Sequence, residues 1–203
     1  MEPFWLEVAK RIQAISQSGL AYCKDPFDLE RFQELREISA RMMSNYTETE
    51  INKVKDLFLN ETGYQTPKVD VRAVIIKKDT IFLVKEKSDG KWTLPGGWAE
   101  PGLSLSENIV KEVKEESGYD VETERILAIL DRNRYNHPPS PYSIYKIFVL
   151  CRLIGGIPTK SIETEDSSFF PFNRLPDLSI ERVTQEQIEL VINAASSGKV
   201  FHD

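Results

Sequence analysis

The stretch "NETGYQTP", residues 60 to 67, divides two hydrophobic periodicities that no single element can satisfy. Before it, Trp5, Val8, Ile12 and Ile15, and then Phe32, Leu35, Ile38 and Met42, recur at three- and four-residue intervals, the spacing of one helix face. After it, "VDVRAVIIKKDTIFLVKEK" reads as two strands meeting at Lys78, Asp79 and Thr80. The expected organisation is therefore a helical domain with its linker over residues 1–66 and a β-rich domain over 67–203. Three helices fit the front. Asp25 before Pro26 supplies an N-cap and a first-turn proline for the second, and Thr47 with Glu50 reads as a capping box for the third. Further strands are predicted near residues 121–130 and 144–153, and a terminal helix near 183–197 with Gly198 as its stop signal.

Composition narrows the function classes. The 203 residues are 40% hydrophobic, enough for a buried core, and carry a net charge of -6, which gives no long-range attraction to nucleic acid. The opening "MEPFWLEVAKRIQ" lacks a cationic segment followed by an apolar one, and no apolar run reaches membrane-spanning length. A cytoplasmic protein with no membrane partner is expected, with Cys23 and Cys151 as free thiols.

The chemistry is concentrated in "LPGGWAEPGLSLSENIVKEVKEESGYD", residues 94–120. Ser104 and Glu107 form a capping box, and Gly118 can end the helix in the left-handed conformation. With Glu112 at zero on a wheel of about 100° per residue, Leu105 falls near 20°, Glu116 near 40°, Ile109 near 60°, Val113 near 100° and Glu115 near 300°. Glu116 thus lies among the apolar residues with Glu112 beside it, and Glu115 lies beside Glu112. Three carboxylates at these spacings repel by about 3 kcal/mol per pair at an effective dielectric of 20, and much less if fully hydrated. A hard divalent cation reverses that sign, since magnesium takes oxygen ligands and keeps waters that phosphates can replace. Three carboxylates and a diphosphate carry about -5, so two or three ions are expected with substrate bound. The "PGG" and "EPG" turns before the helix allow backbone groups to come close to such ions.

These residues resemble the Nudix hydrolase signature, G-x5-E-x7-R-E-U-x-E-E-x-G-U, where U is apolar. Gly97, Glu112, Val113, Glu115, Glu116, Gly118 and Tyr119 fill the matching positions. Two positions depart: the first family glutamate is Leu103 and the family arginine is Lys111, which together suggest that an ion pair between loop and helix is lost. The resemblance covers about residues 68–195 and implies an α+β fold, the Nudix α/β/α sandwich with a mixed sheet, here preceded by a small helical domain. The helical front is similar to that of a bacterial subgroup of ADP-ribose pyrophosphatase-like proteins, within which the resemblance points to CDP-choline pyrophosphatases.

What the resemblance implies is metal-dependent hydrolysis of a nucleoside diphosphate linked to another group, with CDP-choline giving CMP and phosphocholine. Mg2+ or Mn2+ would be held by Glu112 and Glu116, with Glu115 as ligand or base, a backbone carbonyl from Gly96, and Glu100 on metal-bound water. Glu163 and Asp166, in "ETEDSSFFPFNRLPDLS", are the alternative bases. Trp98, Trp92 and Tyr135 are candidates to stack on a base or surround a quaternary ammonium, with core packing as the competing role, and Arg132 and Arg134 are candidates to meet phosphates. Three alternatives stand beside CDP-choline: ADP-ribose hydrolysis by the same machinery, cleavage of RNA, and a Nudix-like module that binds nucleotides without catalysis. Nudix enzymes of this size are often dimers, so a homodimer is expected.

Overall fold

A computed structural model describes residues 3–47, 50–59, 61–159 and 161–203 and, of residues 57–59, the backbone only. The chain forms two compact units, Met1–Pro67 with Pro139–Ser143, and Lys68–Pro138 with Ile144–Asp203.

The first unit contains three helices: α1 (Phe4–Tyr22), α2 (Pro26–Thr47) and α3 (Ile51–Leu59). Asp25 caps α2 as its sequence predicts, accepting from the backbone N–H of Phe27 at 2.9 Å and of Asp28 at 3.0 Å. The capping box predicted for α3 does not form that way. The helical hydrogen-bond ladder carries α2 through Thr47, whose hydroxyl donates to the Met43 carbonyl at 2.7 Å, and α3 opens at Ile51. The core of this unit is small: Leu6, Ala9, Ala40, Met43 and Val54, supported by Trp5 stacked on Tyr46 with ring centroids 4.9 Å apart. The apolar stripe that marks α1 as a helix is not its most buried face. Gln13, Ser16 and Gln17 are buried with Leu6 and Ala9, while Ile15 is exposed. The linker predicted at 60–67 contains neither helix nor strand from Glu61 to Pro67; Asn60 lies outside the described residues.

The second unit is a mixed sheet between two helices. Its elements are β1 (Lys68–Lys77), β2 (Thr80–Glu86), β3 (Trp92–Thr93), α4 (Leu105–Ser117), β4 (Tyr119–Asp131), β5 (Ile144–Gly156), β6 (Thr164–Pro171), α5 (Gln185–Ser197) and β7 (Phe201–His202). The strand order is β3-β2-β1-β5-β4-β7, with β6 on β2. β1 runs parallel to β5 and β4 parallel to β7, while the other pairs are antiparallel. Alternation along the strands sorts the core into two layers. Val74, Ile81, Leu83 and Phe148 pack with Ile188, Val191 and Ala194 of α5. Val71, Ala73, Ile75, Phe82 and Val84 pack with Ile109 and Val113 of α4. Each fully buried side chain of this size contributes about 2 kcal/mol, and a one-residue slip would exchange the layers, so the register is strongly specified.

Both helices are bounded by the signals their sequences carry. Ser104–Glu107 and Thr184–Gln187 form complete capping boxes, and Gly118 and Gly198 end α4 and α5 with φ of 76° and 72°. Gly118 is required twice over, because a Cβ there would also lie 2.3 Å from the Ile157 carbonyl oxygen. Among the described residues, no helix is long and apolar enough to cross a membrane.

Candidate active site

A cavity of about 1480 Å³ opens in the second unit, lined by residues of the Gly96–Pro101 loop, α4, β1, β5 and the segment around Glu163. One part of its wall is acidic. Glu116 is 5% exposed, and its Oε2 accepts from the Gly96 N–H at 3.0 Å. Burial outweighs the attraction of Arg72 and that hydrogen bond, so its carboxyl is pushed up to about 8. Glu112, half-buried, is also raised, chiefly by burial. Glu115 is exposed, with an oxygen 3.7 Å from the Lys111 ammonium. The turn of the helix wheel is thus realised: one glutamate in the core layer, one at its edge and one in solvent.

The glycine loop meets these carboxylates at close range. Gly96 adopts φ of 135°, and a Cβ there would sit 2.0 Å from the Val71 carbonyl oxygen, so only glycine can pass between β1 and α4 at this point. A Cβ on Gly97 would come within 3.2 Å of the Glu112 carboxylate. Besides the Gly96–Glu116 hydrogen bond, two ties hold the loop to α4. Asn108, buried, accepts from the Glu100 N–H at 2.7 Å and donates to the Leu103 and Ser104 carbonyls at 3.3 and 3.0 Å. Lys111 pairs with Glu100 at 2.5 Å. The family's own pair is lost, since Leu103 carries no charge, but a carboxylate three residues upstream supplies a loop–helix ion pair in its place, and Leu103 itself is partly exposed.

A second part of the wall is cationic and comes from the strands. Arg72 makes a bidentate contact with Asp70, Nε to Oδ1 at 2.9 Å and Nη2 to Oδ2 at 2.7 Å, and donates from Nη1 to the Leu94 carbonyl at 3.1 Å. Lys146, the register partner of Asp70 across β1 and β5, reaches Oδ1 at 2.6 Å. Burial alone would raise the Asp70 carboxyl, but the combined attraction of Arg72 and Lys146 holds it below the ordinary range. Burial lowers the Lys146 ammonium to about 8 against the pull of Asp70. Arg132 donates to the Pro138 carbonyl at 2.7 Å and to Glu181 at 3.0 Å.

Glu163 lines the cavity through local tethering. Ser161 Oγ accepts from the Glu163 and Thr164 N–H groups at 3.0 and 2.8 Å, and the Thr164 hydroxyl donates to the Glu116 carbonyl. Of the residues predicted from sequence, Gly96, Trp98, Glu100, Glu112, Glu115, Glu116, Arg132 and Glu163 line this cavity. Four others lie away from its wall, and each has a local reason. Asp166 falls within β6 opposite Lys85, with its carboxylate turned to the Ser167 N–H at 2.8 Å. Arg134 is exposed in a 3-10 turn, and the Tyr135 hydroxyl donates to Asp203 at 2.7 Å while its ring packs on the α5 layer. Trp92 packs edge-on against Phe170. Sequence patterning missed Asp70, Arg72 and Lys146, and also Glu86, which is 5% exposed and paired with Arg182 at 2.9 Å. The one available signal was charge at positions of strict strand alternation that should have been apolar.

The donor set suits a hard divalent cation: carboxylate oxygens of Glu112 and Glu116 and the backbone of Gly96 share one wall, and the buried carboxylates carry repulsion that a cation would relieve. Among the described residues, no three His, Cys, Asp or Glu side chains already close into a ligand group.

Comparison with known proteins identifies the family. Residues 66–191 match the model of the NUDIX domain, and residues 3–58 match that of the UDP-X-like, N-terminal oligomerisation domain. The chain belongs to the Nudix hydrolase family. This Nudix chain is 50% identical over 189 residues to YjhB of Bacillus subtilis (strain 168), provisionally named an ADP-ribose pyrophosphatase, covering 93% of this chain and 91% of that protein. A crystal structure of UDP-X diphosphatase superposes with a TM-score of 0.66 at 35% identity, covering 98% of both chains. An ADP-ribose pyrophosphatase from Streptococcus suis superposes with a TM-score of 0.62 at 45% identity, covering 68% of this chain and all of that one. The fold expected from the glutamate motif and the hydrolase class are thereby established, and Nudix hydrolases in general use divalent ions such as Mg2+ or Mn2+.

Proposed function

We propose that this Nudix hydrolase cleaves the pyrophosphate bond of a pyrimidine nucleoside diphosphate linked to a second group, with CDP-choline, giving CMP and phosphocholine, as its preferred substrate. The observation that carries the reading is the meeting, in one cavity, of the carboxylates of α4 with the half-exposed Trp98 and the cationic wall of Arg72 and Lys146. The UDP-X-like helical region and the likeness to UDP-X diphosphatase support a pyrimidine nucleotide. Glu112, Glu116 and the Gly96 carbonyl would hold two or three divalent ions with substrate. The chemistry those ions would supply is screening of the diphosphate charge and a lowered pKa for water at the site. Asn108 and the Glu100–Lys111 pair fix the loop against α4, and Arg72 places a permanent positive charge near the buried carboxylates. Glu163, or Glu115, accepts the proton of the attacking water as the bridging P–O bond breaks.

ADP-ribose hydrolysis is the second reading, favoured by the names of the Bacillus and Streptococcus relatives. A magnesium-dependent screen of CDP-choline, UDP-sugars, ADP-ribose and a labelled RNA, with products identified by mass, separates the readings. The highest kcat/KM is expected for CDP-choline. A higher value for ADP-ribose favours the second reading, RNA cleavage the third, and no metal-dependent product overturns catalysis altogether. Residues 1–66 are proposed to form a homodimer interface, with 67–203 as the hydrolase domain; a monomeric mass in solution would refute the dimer.

A further inference from the structure

The structure points to Lys146 as the residue that reads the nucleobase, forming with Trp98 a subsite for a pyrimidine through a ring carbonyl oxygen. This rests on the nucleoside diphosphate reading above and adds to it a named donor and a base class.

A lysine on a central strand of the sheet is unusual, because a buried ammonium needs acceptors to replace its water. Lys146 is 2% exposed and lies on β5, sharing a face with Phe148. Its one hydrogen-bond acceptor among the described residues is Asp70 Oδ1 at 2.6 Å. An ammonium carries three N–H bonds, so two remain, and the residue lines the cavity. Asp70 is already engaged by three donors, Arg72 Nε and Nη2 and one N–H of Lys146, and the other two Lys146 N–H bonds are not directed to it. Arg72, beside it, has donors only. Lys146 is thus held by one strong contact and presents spare donors that nothing in the wall uses.

Two features argue for a base rather than a phosphate. Trp98 lines the same cavity, is 50% exposed, and its backbone pairs with that of Asp70 in an isolated antiparallel bridge, a pairing that sends the two side chains to the same side. An exposed indole offers a stacking surface, which suits a flat ring and is idle against a tetrahedral phosphate. On the reading above the diphosphate would sit against the acidic wall, where divalent ions would supply the positive charge. A donor that accepts nothing also discriminates between bases. Cytosine and uracil present the O2 carbonyl to it, whereas adenine has no carbonyl and offers only ring nitrogens, of which N1 and N7 lie beside the amino group, so the contrast it draws is with adenine.

The test is titration of CMP and AMP, in metal-free buffer, into the full-length protein and its variants. Wild type is expected to bind CMP roughly tenfold tighter than AMP, Lys146→Met to lose roughly tenfold in CMP affinity with AMP within about twofold, and Lys146→Gln, which keeps an amide donor, to recover part of the loss. Trp98→Leu, at an exposed position where folding is not at issue, is expected to weaken CMP. Equal losses for CMP and AMP in both Lys146 variants would assign the ammonium to the phosphate or to support of Asp70, and overturn the inference. So would a wild type that does not prefer CMP, or an unchanged affinity in Trp98→Leu. A wild type that binds CMP in this way but hydrolyses no nucleoside diphosphate derivative sinks the proposed function and leaves the subsite standing.

Discussion

The acidic part of the cavity wall comes from three glutamates within five residues of α4, whereas the cationic part gathers Asp70 and Arg72 from β1, Lys146 from β5 and Arg132 from the turn after β4. The two differ in how their charge is balanced. On α4 the carboxylates face one another and the low-dielectric core, so burial raises Glu112 and takes Glu116 up to about 8. On the strands each buried charge has an opposite partner within 3 Å, and Asp70 is held down. On one wall every buried charge meets an opposite charge within the folded chain; on the other the carboxylates need a ligand's positive charge.

Mutations on the two walls should therefore differ in the sign of their stability effect as well as in activity. Glu116→Gln is expected to lower kcat by at least about a hundredfold, by removing a ligand charge, while leaving the metal-free fold equally stable or more so. Steady-state kinetics with a metal titration and a thermal melt check both halves, and normal turnover with normal metal binding would remove Glu116 from the site. Asp70→Asn should do the opposite in stability. It leaves Arg72 and Lys146 buried without their carboxylate, a loss of about 3–5 kcal/mol readable in urea unfolding. If the two variants shifted stability in the same direction by similar amounts, the contrast between the walls would be broken.

A pH titration sharpens the comparison from the cationic side. His137 sits in the segment after Arg132, its Nδ1 2.6 Å from the Ile180 carbonyl and its Nε2 3.0 Å from Gln187 Oε1. Burial lowers its pKa to about 4 despite those acceptors. Because the folded value lies below the unfolded one, near 6.5, the unfolded chain binds the proton first. The neutral ring's contribution is full above about pH 6.5 and is lost as pH falls towards 4, by about 1–2 kcal/mol once partial exposure is discounted. Asp70 holds its own contribution through that window, since its carboxyl titrates below the ordinary range. His137→Gln should flatten this limb of the stability curve; an unchanged limb would assign it to another group.

The smallest effect concerns the loop tie. Glu100→Gln removes a solvent-screened ion pair and should leave the urea unfolding midpoint nearly unchanged. Because that pair already joins loop to helix, Leu103→Glu with Lys111→Arg should alter metal affinity by less than about threefold. A large rise, measured by calorimetric titration, would mean that the tie through Glu100 does not replace the family's own.

Local signals were legible wherever they act within one turn of chain. The boundaries of α4 and α5 follow from Ser104, Thr184, Gly118 and Gly198, because a cap is satisfied by backbone groups two or three residues away. The placement of Glu116 inside followed from the same helical phase. The Thr47 box failed because the same residue can also complete the last turn of the helix before it, and the packing of Met43 favours that outcome. Asp166 and Tyr135 were misplaced for a related reason: whether a polar residue beside a strand faces a cavity depends on which strand pairs with it, and Lys85 and Asp203 are distant in sequence.

The sequence by itself determined the two classes of structure, the helix that carries three carboxylates, and the glycine loop beside them, since each depends on periodicity and on backbone conformations open only to certain residues. Only the tertiary structure decided the company those carboxylates keep. Asp70 and Lys146 stand 76 positions apart and meet because β1 pairs in parallel with β5, and Lys111 found Glu100 where the motif offered Leu103. Charges joined through a sheet leave no spacing to read, because the pairing of strands is settled by the burial of the whole core rather than by any residue within it.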